Sequence, residues 1–85
     1  MEKYKIEVKK SAVKEFNSIP TKDLKKIIKT IQGLSNNPRP QGCLKLTNQE
    51  NYRIRIGNYR ILYSIKDDIL TVYVIQIGHR KNIYH

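Results

Sequence analysis

Two runs of alternating apolar and polar residues, 52–56 and 59–66, are separated only by Gly57 and Asn58. A two-residue connection that begins with glycine is typical of a β-hairpin, so this turn constrains the fold more than any other feature. The pairing that it implies sets three pairs of residues opposite each other: Ile56 and Tyr59, Arg55 and Arg60, and Arg53 and Leu62. Because opposed residues share a face of a sheet, the three arginines project together. Like charges in this arrangement are destabilising, which favours a role in binding an anion.

The first half of the chain predicts one strand and two helices. Residues 4–8 alternate apolar with charged residues, as in a short strand. Ser11 can cap a helix that runs to about Ser18, with Val13 and Phe16 facing inward, before Pro20 breaks the chain. Thr21 can cap a second helix of about four turns. Its apolar residues recur at helical spacing, with lysines mostly on the other side: Leu24, Ile27, Ile28, Ile31 and Leu34 against Lys22, Lys25, Lys26 and Lys29.

The second half is strand-like. Residues 44–46 are only a candidate strand, and the hairpin is followed by a tight connection at Asp67-Asp68. The run 69–77 is apolar on both faces, which indicates an interior strand, and Gly78 is expected to end it. The predicted order is β-α-α-β-β-β: an α+β domain over residues 1–85, with two helices on one face of a small, mainly antiparallel sheet.

Composition favours a polyanionic partner. The 17 Lys and Arg against 7 Asp and Glu give a formal charge of +10. Nine lysines precede residue 30, whereas all five arginines follow it, and a guanidinium suits phosphate better than an ammonium does. The single Cys43 excludes an intrachain disulfide and, with His79 and His85, lacks the spacing of a zinc site. No apolar run is long enough to span a membrane, so we expect a soluble cytoplasmic protein without cofactors.

Four short pieces follow one another along the second half of the chain: Leu44-Lys45-Leu46, then Tyr52-Arg53-Ile54-Arg55, then Gly57-Asn58-Tyr59-Arg60-Ile61-Leu62-Tyr63, and last Ile77-Gly78-His79-Arg80 with Tyr84. With these pieces and its helical first half, the chain resembles the RelE/ParE superfamily of prokaryotic toxins over nearly its whole length. RelE-like members cleave messenger RNA, usually on the ribosome, and ParE-like members poison DNA gyrase. The resemblance therefore implies a RelE-like fold and a cognate antitoxin, expected to be an acidic or amphipathic segment that binds an otherwise monomeric toxin.

The resemblance to RelE also implies roles for particular residues. The paired basic positions of the hairpin fall on Arg53 and Arg55, where some well-known members have lysines. The remaining arginines of the cleavage centre fall on Arg60 and Arg80, and the tyrosine of the C-terminal tail falls on Tyr84. Lys45 and Lys81 are predicted to add to the RNA-binding surface.

Metal-independent RNA cleavage requires the 2′-hydroxyl to attack its own phosphate, with one proton removed, one donated and the charge of the phosphorane stabilised. Arg60 and Arg80 suit the last role. Arginine stays protonated and is a poor general base, so Tyr84 and His79 are the proton-handling candidates. A third alternative is that the ribosome or the RNA completes the site. The predicted function is a ribosome-dependent messenger RNA endoribonuclease; the alternatives are a gyrase inhibitor and a non-catalytic RNA-binding module.

Overall fold

The computed structural model describes residues 3–46 and 51–79, which form one sheet with two helices packed on it. The elements, in order, are β1 (Lys5–Val8), α1 (Lys10–Glu15), a 3₁₀ turn (Phe16–Ser18), α2 (Thr21–Gly33), β2 (Leu44–Lys45), β3 (Asn51–Ile56), β4 (Tyr59–Lys66), a second 3₁₀ turn (Asp67–Ile69) and β5 (Thr71–His79). The sheet order is β1-β5-β4-β3-β2. Only β1 and β5 pair in parallel, and the other pairs are antiparallel. The predicted α+β class and the interior position of β5 are confirmed.

The hairpin has the register that its turn predicts. Arg55 lies opposite Arg60 and Arg53 opposite Leu62. Gly57 has a φ of +58°, and Asn58 keeps a negative φ, which matches a two-residue turn that needs glycine at its first position. A short local signal therefore fixes which residues of β3 and β4 share a face.

The core lies between the helices and one face of the sheet, which we call the helix side. Ile27 and Ile31 of α2, and Leu34 directly after it, pack with sheet residues such as Ile61 and Val74, all of them buried. Complete burial of a side chain of this size stabilises the fold by about 1.5–3 kcal/mol. Among the described residues, no helix is both long and apolar enough to cross a bilayer.

Details of the first helix differ from the prediction. The helix begins at Lys10, so Ser11 lies inside it, and neither Ser11 nor Thr21 caps a helix through its side chain. Ala12 is fully buried, whereas Val13 is exposed and only Phe16 packs against the core as expected. Ala12 and Phe16 are four residues apart and share the buried face of the first turns, whereas Val13 points about 100° away from Ala12.

The last strand is shifted along the chain by two residues. It begins at Thr71, because residues 67–69 form the 3₁₀ turn and Leu70 adopts a left-handed conformation with φ 46°. The prediction that Gly78 ends the strand is wrong, because Gly78 lies inside β5, opposite Arg60. The strand continues through Gly78 because pairing with β4 stabilises it there, although glycine by itself has a low preference for strands.

Candidate nucleic-acid interface

The arginines of the hairpin lie on the face of the sheet opposite the core, which we call the arginine face. Paired residues share a face, so the register defines its rows. The first row, across β3, β4 and β5, consists of Arg55, Arg60 and Gly78, and we call it the arginine row. The second row, from β2 to β5, consists of Leu44, Arg53, Leu62 and Gln76. The third row, from β3 to β1, consists of Asn51, Ser64, Tyr73 and Glu7. Within the described strands, Glu7 is the only acidic side chain on this face.

The three arginines differ in burial. Arg55 is exposed and Arg53 is half-buried, but Arg60 retains only 5% of its accessible surface. A buried guanidinium has less freedom than a solvated one, so Arg60 presents its charge in a more fixed geometry. Its partner on β5 is Gly78, which is also buried. The row thus combines a buried cation, an exposed cation and a buried glycine.

Two predicted site residues lie on the helix side instead. Lys45 pairs with Tyr52, and His79 pairs with Tyr59, on the face that carries the core. The His79 ring contacts the Tyr59 ring edge-to-face, with centroids 5.6 Å apart. Because successive residues of a strand point to opposite faces, His79 cannot share the face of Arg60 when its neighbour Gly78 does. The structure therefore does not bring these two side chains together with the arginine row.

The other predicted site residues, Arg80, Lys81 and Tyr84, lie outside the described residues. Their predicted roles stay predictions.

The fifth arginine, Arg39, has a structural position away from the arginine row. Its guanidinium donates to both carboxylate oxygens of Asp67, at 2.8 and 3.3 Å, and its Nε donates to the Tyr52 hydroxyl at 3.1 Å. Tyr4 donates a further hydrogen bond of 2.6 Å to Asp67. These hydrogen bonds lower the pKa of Asp67 below its ordinary value, and the bond from Arg39 has the largest effect. The cluster ties the loop after α2 to the turn before β5.

A buried tyrosine anchors the same loop. Tyr63 has no exposed surface, stacks on Tyr52 with centroids 5.8 Å apart, and donates a hydrogen bond of 2.8 Å to the Pro38 carbonyl. Burial is the main cause that raises the pKa of Tyr63. Nearby, a cavity of about 470 Å³ is lined by side chains of both signs: Arg39, Lys45, Tyr52, Ile65, Lys66, Asp67 and Asp68. Its Lys45 belongs to this mixed surface and not to the arginine face.

Comparison with known proteins assigns the family. Residues 6–84 match the family described as the ParE toxin of the type II toxin–antitoxin system parDE. The chain belongs to this toxin family. The superfamily that the motifs predict, RelE/ParE, is therefore confirmed.

Individual relatives of the toxin are RelE proteins. The RelE1 protein of Methanocaldococcus jannaschii is 29% identical over 86 residues, with 96% of each chain covered. The toxin–antitoxin complex RelBE2 of Mycobacterium tuberculosis matches with a TM-score of 0.81 and 25% identity, covering 92% of this chain and 99% of the other. The archaeal RelE–RelB complex of Pyrococcus horikoshii matches with a TM-score of 0.85 and 23% identity, covering 94% and 98%. The toxin thus has the predicted RelE-like fold.

Sequence reasoning missed two residues of the arginine face, Gln76 and Gly78. Both belong to β5, and the predicted end of this strand at Gly78 left that residue unpaired. A two-residue turn at Asp67-Asp68 would set Ile75 opposite Arg60. The 3₁₀ turn and a register shift between Leu62 and Tyr63 set Gly78 there instead, and no local signal predicts either feature.

Proposed function

We propose that the toxin is a RelE-like endoribonuclease that cleaves messenger RNA on the ribosome. The observation that carries the proposal is the direct opposition of Arg55 and Arg60 on the arginine face, with Arg60 buried. Opposed like charges destabilise a hairpin. A phosphate bound between the two guanidinium groups offsets their repulsion, because arginine donates two parallel hydrogen bonds to phosphate oxygens.

In the proposed reaction, the RNA 2′-hydroxyl attacks the adjacent phosphate and the 5′-oxygen leaves, giving a 2′,3′-cyclic phosphate. Arg60 stabilises the negative charge that develops on the phosphorane, and a donor fixed before the reaction does this without reorganisation. Arg55 and Arg53 extend the contact along the RNA backbone, and Arg80 and Lys81 are proposed to add to it. No step in this scheme requires a metal ion.

Proton transfer is proposed to fall to Tyr84, with the ribosome or the RNA as the alternative source of the base. His79 is the weaker candidate, because its ring packs against Tyr59 on the helix side. Lys45 lies on the same side as His79. A phosphate held by the arginine row is therefore on the wrong side of the sheet for both residues.

The test compares Arg60→Ala and Arg60→Lys with the control Lys29→Ala, which removes one exposed positive charge from α2. Loss of a preorganised donor slows cleavage by about 100- to 1,000-fold, so Arg60→Ala is expected to show a loss of this order in translating extracts. Arg60→Lys keeps the charge but not the paired donors, and is expected to fall between Arg60→Ala and the wild type. Lys29→Ala is expected to cleave as the wild type does. A folded Arg60→Ala variant with wild-type cleavage would contradict the proposal.

A second candidate function is inhibition of DNA gyrase by binding, which the match to the ParE toxin family favours. Gyrase inhibition does not require a row of arginines aimed at a phosphate. A supercoiling assay with purified gyrase separates the two functions: inhibition without RNA cleavage would select the gyrase inhibitor, and binding of RNA with neither effect would select a non-catalytic module.

A cognate antitoxin is also part of the proposal, because the structures of RelBE2 and of the archaeal RelE each contain an antitoxin chain. The charge of +10 favours an acidic or amphipathic segment, whose association with the toxin in the cytoplasm is accelerated by complementary charge. Co-expression with a candidate acidic or amphipathic antitoxin segment, followed by size-exclusion chromatography of the complex and of the free toxin, tests both the partner and the expected monomer.

A further inference from the structure

The amide of Gln76 lies on the arginine face without an assigned role. Gln76 is exposed and pairs with Leu62, one row from the arginine row. Among residues 3–46 and 51–79, no hydrogen bond engages its side chain. An exposed amide beside a phosphate-binding row is available to a ligand that the row holds.

The position of Gln76 suits a nucleobase better than a phosphate. Along a strand, two residues span about 7 Å, so the Gln76 side chain starts about that far from Gly78. The half-buried Leu62 offers an apolar contact on the adjacent strand, and Arg55 is the exposed cation of the row. A nucleotide whose phosphate contacts the row can therefore place its base against Leu62 and Gln76.

The chemistry of the side chain agrees with this placement. A glutamine amide presents a donor and an acceptor side by side, which matches a base edge that carries one of each, as adenine does. Single-stranded RNA exposes such edges because its bases are free to splay apart. Contacts from the arginines of the face to phosphate oxygens would fix the RNA backbone and carry no information about the base.

We infer that Gln76 reads the base next to the phosphate held by the arginine row, and so sets the base preference of the toxin. The inference rests on the proposed function, since it takes RNA to be the ligand of this face. Gln76 acts as a specificity residue, and the arginines supply the affinity and the charge stabilisation.

The first test maps RNA ends in translating extracts for the wild type, Gln76→Leu and the matched control Gln32→Leu. Gln32 is an exposed glutamine on α2, far from the arginine face in the fold. A bidentate amide–base contact discriminates by about 5- to 150-fold, so Gln76→Leu is expected to lower the ratio of preferred to other bases by this factor while total cleavage continues. Unchanged base preference in Gln76→Leu would overturn the inference.

The second test does not depend on cleavage. In ¹⁵N-labelled toxin, the side-chain NH₂ signals of Gln76 and Gln32 are followed during titration with 2′-O-methyl oligonucleotides of each of the four bases, which lack the attacking hydroxyl. The Gln76 signal is expected to shift with one base more than with the others, and the Gln32 signal is expected to stay in place. If the wild type cuts no RNA, the proposed function fails, and this titration still decides the inference: no base-dependent shift at Gln76 would overturn it.

Discussion

Replacement of Tyr63 by phenylalanine tests how the loop after α2 is held on the sheet. The tyrosine hydroxyl donates to the Pro38 carbonyl at 2.8 Å from a side chain with no exposed surface. Phenylalanine keeps the ring and its stacking on Tyr52, so the change removes one hydrogen bond and leaves the carbonyl of Pro38 without that donor.

The magnitude follows from the burial. A typical hydrogen bond contributes about 1 kcal/mol net, and a buried group left without a partner costs about 1–3 kcal/mol, so Tyr63→Phe is expected to lower the free energy of unfolding by about 1.5–2 kcal/mol. At about 0.05–0.15 kcal/mol per residue, this 85-residue domain has a total stability of about 4–13 kcal/mol. For a domain of this size the loss corresponds to a fall in Tm of about 6–16 °C.

Urea unfolding followed by far-UV circular dichroism measures the change, with the m-value expected to stay constant. The matched control is Tyr73→Phe, since the half-buried Tyr73 hydroxyl makes no hydrogen bond among the described residues. A surface change of this kind is expected to stay within about 0.5 kcal/mol. A Tyr63→Phe protein as stable as the wild type would refute the reasoning that this bond holds the loop.

Three further changes probe stability elsewhere in the fold. Asp67→Asn is expected to lower Tm at neutral pH by breaking the ion pair with Arg39. Because the pKa of Asp67 is held below its ordinary 3.8, the difference in Tm from the wild type persists above pH 3.8 and disappears as the pH falls through the lowered pKa. Thermal melts at a series of pH values measure this dependence. Ile27→Ala empties a fully buried site and is expected to cost about 2–5 kcal/mol in urea unfolding. Gly57→Ala forces a side chain into a left-handed turn position and is expected to cost about 1–2 kcal/mol, measured by thermal melting.

Each of these changes has a control in the same chain. Asp68→Asn removes an exposed carboxylate that forms no ion pair among the described residues, so its effect on Tm is expected to be small at every pH. Ile28→Ala truncates a partly exposed side chain and is expected to cost less than Ile27→Ala. Gly33→Ala adds a methyl group to a helix with no atom within 4 Å, and is expected to stabilise the protein by about 0.5–1 kcal/mol. Equal effects in a variant and its control would contradict the mechanism proposed for that pair.

Local signals were enough to predict the hairpin and the family. The two-residue turn at Gly57 and Asn58 fixed the pairing of β3 with β4, because a turn of given length permits one register. The apolar spacing predicted α2 almost to its ends, since helical periodicity depends only on residues a few positions apart. The same short patterns led to the toxin superfamily that the comparisons confirm.

Tertiary structure decided the features that depend on residues distant in the chain. All five arginines follow residue 30, but the ion pair with Asp67, 28 residues away, holds Arg39 apart from the arginine row. Pairing with β4 carries β5 past Gly78 and turns His79 toward the helix side. The pattern of the chain placed Arg53, Arg55 and Arg60 on one face; only the folded protein buries Arg60 and leaves Arg55 exposed, because burial is set by the neighbours that packing brings together.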